Sequence, residues 1–441
     1  MHIAYDLSFT HTEGRWARAG SWIGRDFPDV RMYMELAQTA ERAGVDMLFF
    51  GDGSGIPSTW RGSIGPAVEW GIQWPRHDMA PVIAAVSTVT SHIGFGLTYS
   101  STYLHPFYVA RLLNSLDHVT GGRIAFNVVA STRGADAANY GYAQLPDHNL
   151  RYERMEEFIC VCKALWDSVA PDAILRDRAT GRFADPSKVH PIDHVGRFFT
   201  VKGPLASVPS PQVRPVIVQA GNSPRGIAAS ASFADLIFGF GASPAAQRRH
   251  RALLDEALVK EGRDPAGVGI LWATQVIVGR TAEEARTRRD SVLGFWSEEA
   301  VGTFLSHNAG YDFSTLPASF RLGELRDEIA AAQATPGGLI GTLVDKFGPE
   351  HTMTRAEFFE HGWVAATGLD HTIVGDPAAV ADALEGNFAA TGSRGGYMLA
   401  SPLGMPSGFA EISELLVPEL RRRGALAPRY PGRTLRENLA V

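Results

Sequence analysis

The chain has 441 residues, two cysteines and a formal charge of −6 from 41 basic and 47 acidic side chains. With 45% hydrophobic and 20% charged residues it has a globular balance, and it is long enough for one large barrel or more than one ordinary domain. The mild charge, without a basic patch, gives no reason to expect a nucleic-acid partner, and no apolar run is long enough to span a bilayer.

In chain order, the first residues, MHIAYDLSF, lack a basic flank leading into a long apolar core. No signal peptide is therefore expected, and the expected location is the cytoplasm. Short apolar strands then alternate with amphipathic stretches. Strands are expected at 3–9, 46–50, 93–100, 123–131, 215–220, 235–240, 268–279 and 396–401. Near-continuous runs such as DMLFF, PVIVQAG and ADLIFGF mark parallel strands covered on both faces. Helices are expected at 29–43, 78–91, 106–119, 151–168, 223–232, 244–262 and 377–390. Eight strands with helices between them fit a (β/α)8 TIM barrel with insertions, a single domain over 1–441; an open doubly wound sheet is the alternative. The insertions lie at about 53–76, 171–211 and 281–371, the largest after the seventh strand, and insertions of this length are lids or binding loops. The tail, about 421–441, with its RRR and scattered prolines, reads as an exposed arm or oligomer contact. Cys160 and Cys162 are two apart in a helical stretch and point away from each other, so they read as two buried thiols of a reducing compartment rather than a disulfide or metal pair.

In a parallel barrel the reacting groups sit where strands end. Those ends carry Asp52, then 98–101, 127–131 and 221–223: small polar groups, neither a triad nor a metal cluster. The segment AGNSPRG turns directly from the fifth strand into a helix, with Ser223 at the N-cap and Pro224 at the first helical position. Such an end attracts phosphate, although an ordinary capped turn would look the same. His148 and Tyr152, four apart in HNLRYERMEEF, share a helix face and could grip a phosphate or sugar hydroxyl, or form a plain first turn. His11, after the first strand, reads equally as a catalytic acid or base and as a polar loop residue. His307, in the long insertion, reaches the site only if that insertion folds over it. No G-x-G-x-x-G, P-loop, nucleophile-elbow or H-E-x-x-H pattern occurs, and no metal is expected.

The run IGFGLTYSSTYLHPFYVARLLNSLDHVTGGRIAFNVVAS, followed by NYG, HNLRYERMEEF and PVIVQAGNSPRG, resembles the bacterial luciferase-like flavin monooxygenases. The branch it is most similar to holds nitrilotriacetate, dibenzothiophene-sulfone and long-chain alkane monooxygenases. The resemblance implies a barrel that takes FMN as FMNH2 from a separate NAD(P)H:flavin reductase, uses O2 through a flavin (hydro)peroxide, oxygenates a small organic substrate, and assembles as a homodimer or homotetramer. It implies that Asp52, Thr98 and Asn127 lie near the flavin ring, and that His148, Tyr152 and Ser223 reach its ribityl–phosphate part. His11 and His307 stand as the candidate catalytic residues. The loop WRGSIGPAVEWGIQWPRHD departs from the family pattern, so no particular substrate is implied. A deazaflavin F420-dependent oxidoreductase of the same superfamily and a non-catalytic flavin-binding protein are the rival readings.

Overall fold

A computed structural model describes residues 1–8, 15–23, 30–241, 243–293, 297–332, 339–392, 394–427 and 429–440. His11 lies outside these described residues, as does Phe9 at the end of the first expected strand. The strands are β1 (His2–Asp6), β2 (Met47–Phe50), β3 (Gly94–Ser100), β4 (Ile124–Val129), β5 (Val216–Ala220), β6 (Leu236–Gly239), β7 (Gly269–Val278) and β8 (Gly395–Ala400). Each pairs in parallel with the next, and β8 pairs with β1, so the sheet closes into a barrel and the open-sheet alternative falls.

The helices stand where polar caps and glycines place them. Asp78, Ser223, Ser243 and Asp376 each cap a following helix through a side-chain oxygen. Gly44, Gly121 and Gly392 end helices in the left-handed region. The helix His148–Trp166 starts three residues earlier than the apolar spacing suggests. Asp147 is the reason: its carboxylate accepts from the amides of Asn149 and Leu150, which satisfies donors the first turn would leave open. Cys162 is buried on this helix while Cys160 is exposed, contrary to two buried thiols; residues two apart take opposite faces.

Strand alternation fills the barrel with Ala4, Met47, Phe49, Ala125, Val218 and Phe238 among others. The opposite faces of the strands pack outward under the helix ring in the largest core. The tail is not an exposed arm. Leu435 and Leu439 join the barrel-interior cluster, and the Leu435 amide donates to Gly122 O at 2.9 Å, beside the start of β4. Two leucines bury more apolar area there than an extended tail could offer, and the segment plugs the N-terminal mouth.

The insertion at 171–211 forms two hairpins, Ile174–Asp177 with Arg182–Ala184 and His194–Val195 with Thr200–Val201. Glu157 of the long helix clips the second one, accepting from Phe199 N at 2.9 Å and pairing with His194 at 3.1 Å. The insertion after β7 has a core of its own, which Trp60, Ala67 and Ile72 of the loop after β2 share. These two insertions thus build one lid over the C-terminal mouth. Among the described residues no helix is long and apolar enough to cross a membrane.

Candidate active site

Two residues beyond each interior apolar layer, the alternation puts a further layer at the C-terminal mouth. Asp6 follows Ala4, Thr98 follows Gly96, Asn127 follows Ala125, and Ala220, Ala273 and Ala400 continue the ring. The layer is mostly small, which leaves a shallow floor on which a planar ring can lie. Thr98 and Asn127 are register partners on β3 and β4. The Asn127 amide donates to Thr98 Oγ1 at 2.9 Å, and that hydroxyl donates to Phe50 O at 2.9 Å. This chain fixes the amide with its Oδ1 pointing elsewhere, and that oxygen is buried without a partner. A buried acceptor left open in this way is costly unless a ligand donates to it.

The second feature is the start of helix Pro224–Phe233. Ser223 Oγ accepts from Gly226 N at 3.0 Å. A Cβ placed on Gly226 would lie 3.0 Å from Tyr152 Oη and 3.2 Å from Ser223 Oγ. Two hydroxyls therefore converge on a helix N-terminus that only glycine leaves open. The Tyr152 and His148 ring centroids lie 5.0 Å apart with the rings tilted at 54°, and His148 is at the exposed edge. Arg151 and Arg154, which flank the pair, are committed elsewhere. Arg151 donates to Ala130 O at 3.0 Å and to Ser131 O, and Arg154 donates to Ser101 O and Thr102 O. Arg151 thereby holds the turn after β4, where Ser131 adopts φ 46°, a conformation that costs energy for a non-glycine residue.

Among the described residues, cavities open on the mouth. One of about 150 Å3 is lined by Asp52, Thr98, Tyr103, Ser131, Asp136 and Tyr140. One of about 350 Å3, on the β6–β8 side, is lined by Asp6, Phe240, Gln275, His371 and Met398 among others. Asp52 still meets solvent, yet the surrounding atoms desolvate it enough to raise its carboxyl above the usual range, against the Gly53 amide and the charge of Arg76. Asp6 is buried, and burial raises it too, opposed by hydrogen bonds from Ser8 and the charge of Arg15.

The lid brings His307 in. The helix Glu298–Ala309 packs on Trp60 so closely that a side chain at Gly302 would collide with the indole. His307 is buried, and its Nε2 has no partner. Burial, followed by the charges of Arg133 and Arg76, pushes its pKa down to about 3, so the ring is neutral near pH 7.

The luciferase-like monooxygenase family matches this chain over residues 6–395. The chain belongs to that family. It is 31% identical to the dibenzothiophene-sulfone monooxygenase of Rhodococcus erythropolis (strain XP), an alignment that covers 100% of this chain and 96% of the relative. The crystal structure of DmoA from Hyphomicrobium sulfonivorans superposes with a TM-score of 0.88 at 32% identity, covering 100% of this chain and 91% of the other. An F420-dependent secondary alcohol dehydrogenase superposes at 0.59 with 14% identity, which shows the shared barrel alone. This luciferase-like monooxygenase is an enzyme that works with FMN and O2 on a small organic compound.

The residues present suit that cofactor. The glycine-floored cradle at Gly226 has the shape and donors to fit an anion, and the open Asn127 Oδ1 has room for a donor such as a ring N–H. The strand-end reading reached Asp52, Thr98, Asn127 and Ser223 but missed Asp6, Arg76, Arg133 and Asp136. Asp6 was signalled by the polar break in the alternating run HIAYD; Arg76 and Arg133 sit in loops and Asp136 in the short helix Gly134–Asn139, none of which a periodicity encodes.

Proposed function

We propose that Ser223, Tyr152 and His148 hold the phosphate end of FMN and that Asp52, Thr98 and Asn127 face its ring. The observation that carries this is the convergence of Ser223 Oγ and Tyr152 Oη on Gly226 at a helix N-terminus. A separate NAD(P)H:flavin reductase in the cytoplasm delivers the cofactor in its reduced form, and the bound flavin supplies the O2 activation. The chain's part is to position and to protect. The small floor layer leaves room for a ring, and Asn127, oriented by Thr98, presents an acceptor to it. The lid formed from 53–76 and the insertion after β7 closes the mouth against water. His307, neutral and within the field of both arginines, holds or passes a proton at Nε2 beside the organic substrate. The role of His11 as a second acid or base is proposed on its chain position alone.

The experiment is a flavin titration of the Ser223→Ala/Tyr152→Phe double variant. Losing two hydroxyls from a phosphate costs about 2–4 kcal/mol, so FMN affinity is expected to fall roughly 30- to 1000-fold. Wild-type affinity in that variant sinks the phosphate assignment.

A further inference from the structure

The cavity of about 350 Å3 on the β6–β8 side of the mouth has no part in the flavin reading. Ala273, Met398 and Ala400 of β7 and β8 give it an apolar floor, and Phe240, just beyond β6, lines it as well. Phe240 is 47% exposed, so much of its ring remains for an apolar compound to cover. The far side is lid: residues 365–368 and His371 belong to the end of the insertion after β7. An apolar hollow with a few fixed polar groups is the usual form of a small-molecule site.

Two glutamines line this cavity, and they differ. Gln275 on β7 has both ends of its amide in use: Nε2 donates to Thr367 O at 2.9 Å, and Oε1 accepts from Thr372 Oγ1 at 2.9 Å. That side chain ties the end of the lid to the barrel. Gln247, one turn into the helix Pro244–Lys260, uses only one end. Its Nε2 donates to Gly241 O at 3.1 Å, and a carbonyl only accepts, so the amide has one orientation. Its Oε1 is buried with no hydrogen-bond partner among the described residues, on a residue 6% exposed. Gly241 permits this fit, since a Cβ there would come to 2.7 Å from Gln247 Cγ. A fixed, buried amide oxygen left open is costly, and a donor on a bound molecule would complete it. Asp6, also buried, lines the same cavity with an Oδ1 that accepts from Ser8 N at 2.9 Å. Arg15, buried in that lining, offsets the carboxylate charge.

We infer that this cavity receives the organic substrate, and that Gln247, with Asp6 lining the same space, recognises a neutral hydrogen-bond donor on it, a hydroxyl or an amide N–H. Phe240 and Met398 enclose the apolar body of the compound. An ether or a carboxylate brings only acceptors and leaves Gln247 Oε1 open, so the lining discriminates by the missing bond rather than by shape. Gln247 is in this sense a specificity-determining residue. The inference rests on the flavin reading for where the reacting centre lies, and it fixes the other end of the substrate on the β6–β8 side.

The test uses FMN-saturated protein with the isomers benzyl alcohol and anisole as probes, of which only the alcohol donates, and benzylamine as the cationic counterpart. Affinities are read by calorimetry. The methyl NMR signal of Met398, assigned through Met398→Leu, reports whether a probe sits in the cavity, and both isomers are expected to shift it. In Gln247→Leu the affinity ratio of alcohol to ether should fall about tenfold, because the donor then meets an apolar wall. Anisole and FMN affinities should stay near wild type. Gly241→Ala, whose Cβ pushes the glutamine aside, should lower the ratio in the same direction. A ratio unchanged in Gln247→Leu, or in Gly241→Ala where the first variant does not fold, overturns the proposal. So does benzylamine binding more tightly than benzyl alcohol, or a Met398 signal that no probe moves. Probes that bind flavin-free protein and are displaced by FMN would put the flavin in this cavity and overturn it as well. If wild-type protein takes up no FMN, the flavin reading fails by itself, and the ratio measured on flavin-free protein still decides the role of Gln247.

Discussion

On the β4–β5 side of the mouth, the proposed phosphate cradle consists of His148, Tyr152, Ser223 and Gly226, each in the first turns of a helix with a side-chain cap. On the lid side, Trp60, Trp70, Glu299, Gly302 and His307 meet only because two insertions more than 200 residues apart share a core. The first arrangement follows from local rules: a polar cap, a glycine, a four-residue helical spacing. The second follows from tertiary packing between segments that have no fixed order in the sequence pattern. A cofactor common to a family can be held by the first kind of structure, while the compound to be oxygenated is met by the second, which is free to vary.

The comparison breaks most sharply at Gly302. A Cβ there would approach the Trp60 indole to 2.1 Å, and overpacking of that order costs about 3 kcal/mol. Gly302→Leu is therefore expected to speed hydrogen exchange throughout Glu298–Ala309 and to lower oxygenation while leaving FMN affinity within about twofold. A parallel fall in FMN affinity would mean the two halves are one cooperative unit and the distinction is wrong. The double variant at Ser223 and Tyr152 is its mirror image: flavin affinity lost, exchange in the lid unchanged.

The same contrast explains what could be read from the sequence. All eight strands and the seven helices between them were legible because runs such as DMLFF and ADLIFGF alternate with capped amphipathic stretches. Ser223 was legible because strand, cap and proline follow one another directly. The tail was misread because the RRR and prolines of 421–432 look solvated, and the short apolar pair Leu435 and Leu439 behind them is too brief to register as a helix. Arg133 and Asp136 were missed for a related reason. Their partners are backbone amides at 54 and 55 and a point beside Gly53, relations that exist only once the β2 and β4 loops touch.

A smaller effect separates the halves by pH. His307 is held near pKa 3 in the folded protein against about 6.5 unfolded. Between those values the unfolded chain binds the extra proton and the native one does not, so stability rises with pH through the window and is fully present above it. Going from pH 7.5 to 5 should cost the lid about 2 kcal/mol, seen as faster hydrogen exchange in Glu298–Ala309 after correction for the intrinsic rate. His307→Leu should remove most of that dependence. An unaltered pH dependence in the variant would assign it to other groups.

The smallest expected effect bears on what pins the lid down. Glu299 accepts from Trp70 Nε1 at 3.2 Å and pairs with Arg61 at 3.1 Å. Arg61 is 59% exposed in that pair, and exposed ion pairs contribute about 0–1 kcal/mol. Glu299→Gln removes the charge but keeps an acceptor for the indole. It should therefore lower lid stability by no more than about 1 kcal/mol, with a difference from wild type that fades as salt rises. Both numbers would be read in the same exchange experiment as Gly302→Leu. If Glu299→Gln loosened the lid as much as Gly302→Leu does, electrostatic pinning would dominate. The contact of Trp60 with Gly302, and the shared apolar core around it, would then be a consequence of closure and not its cause.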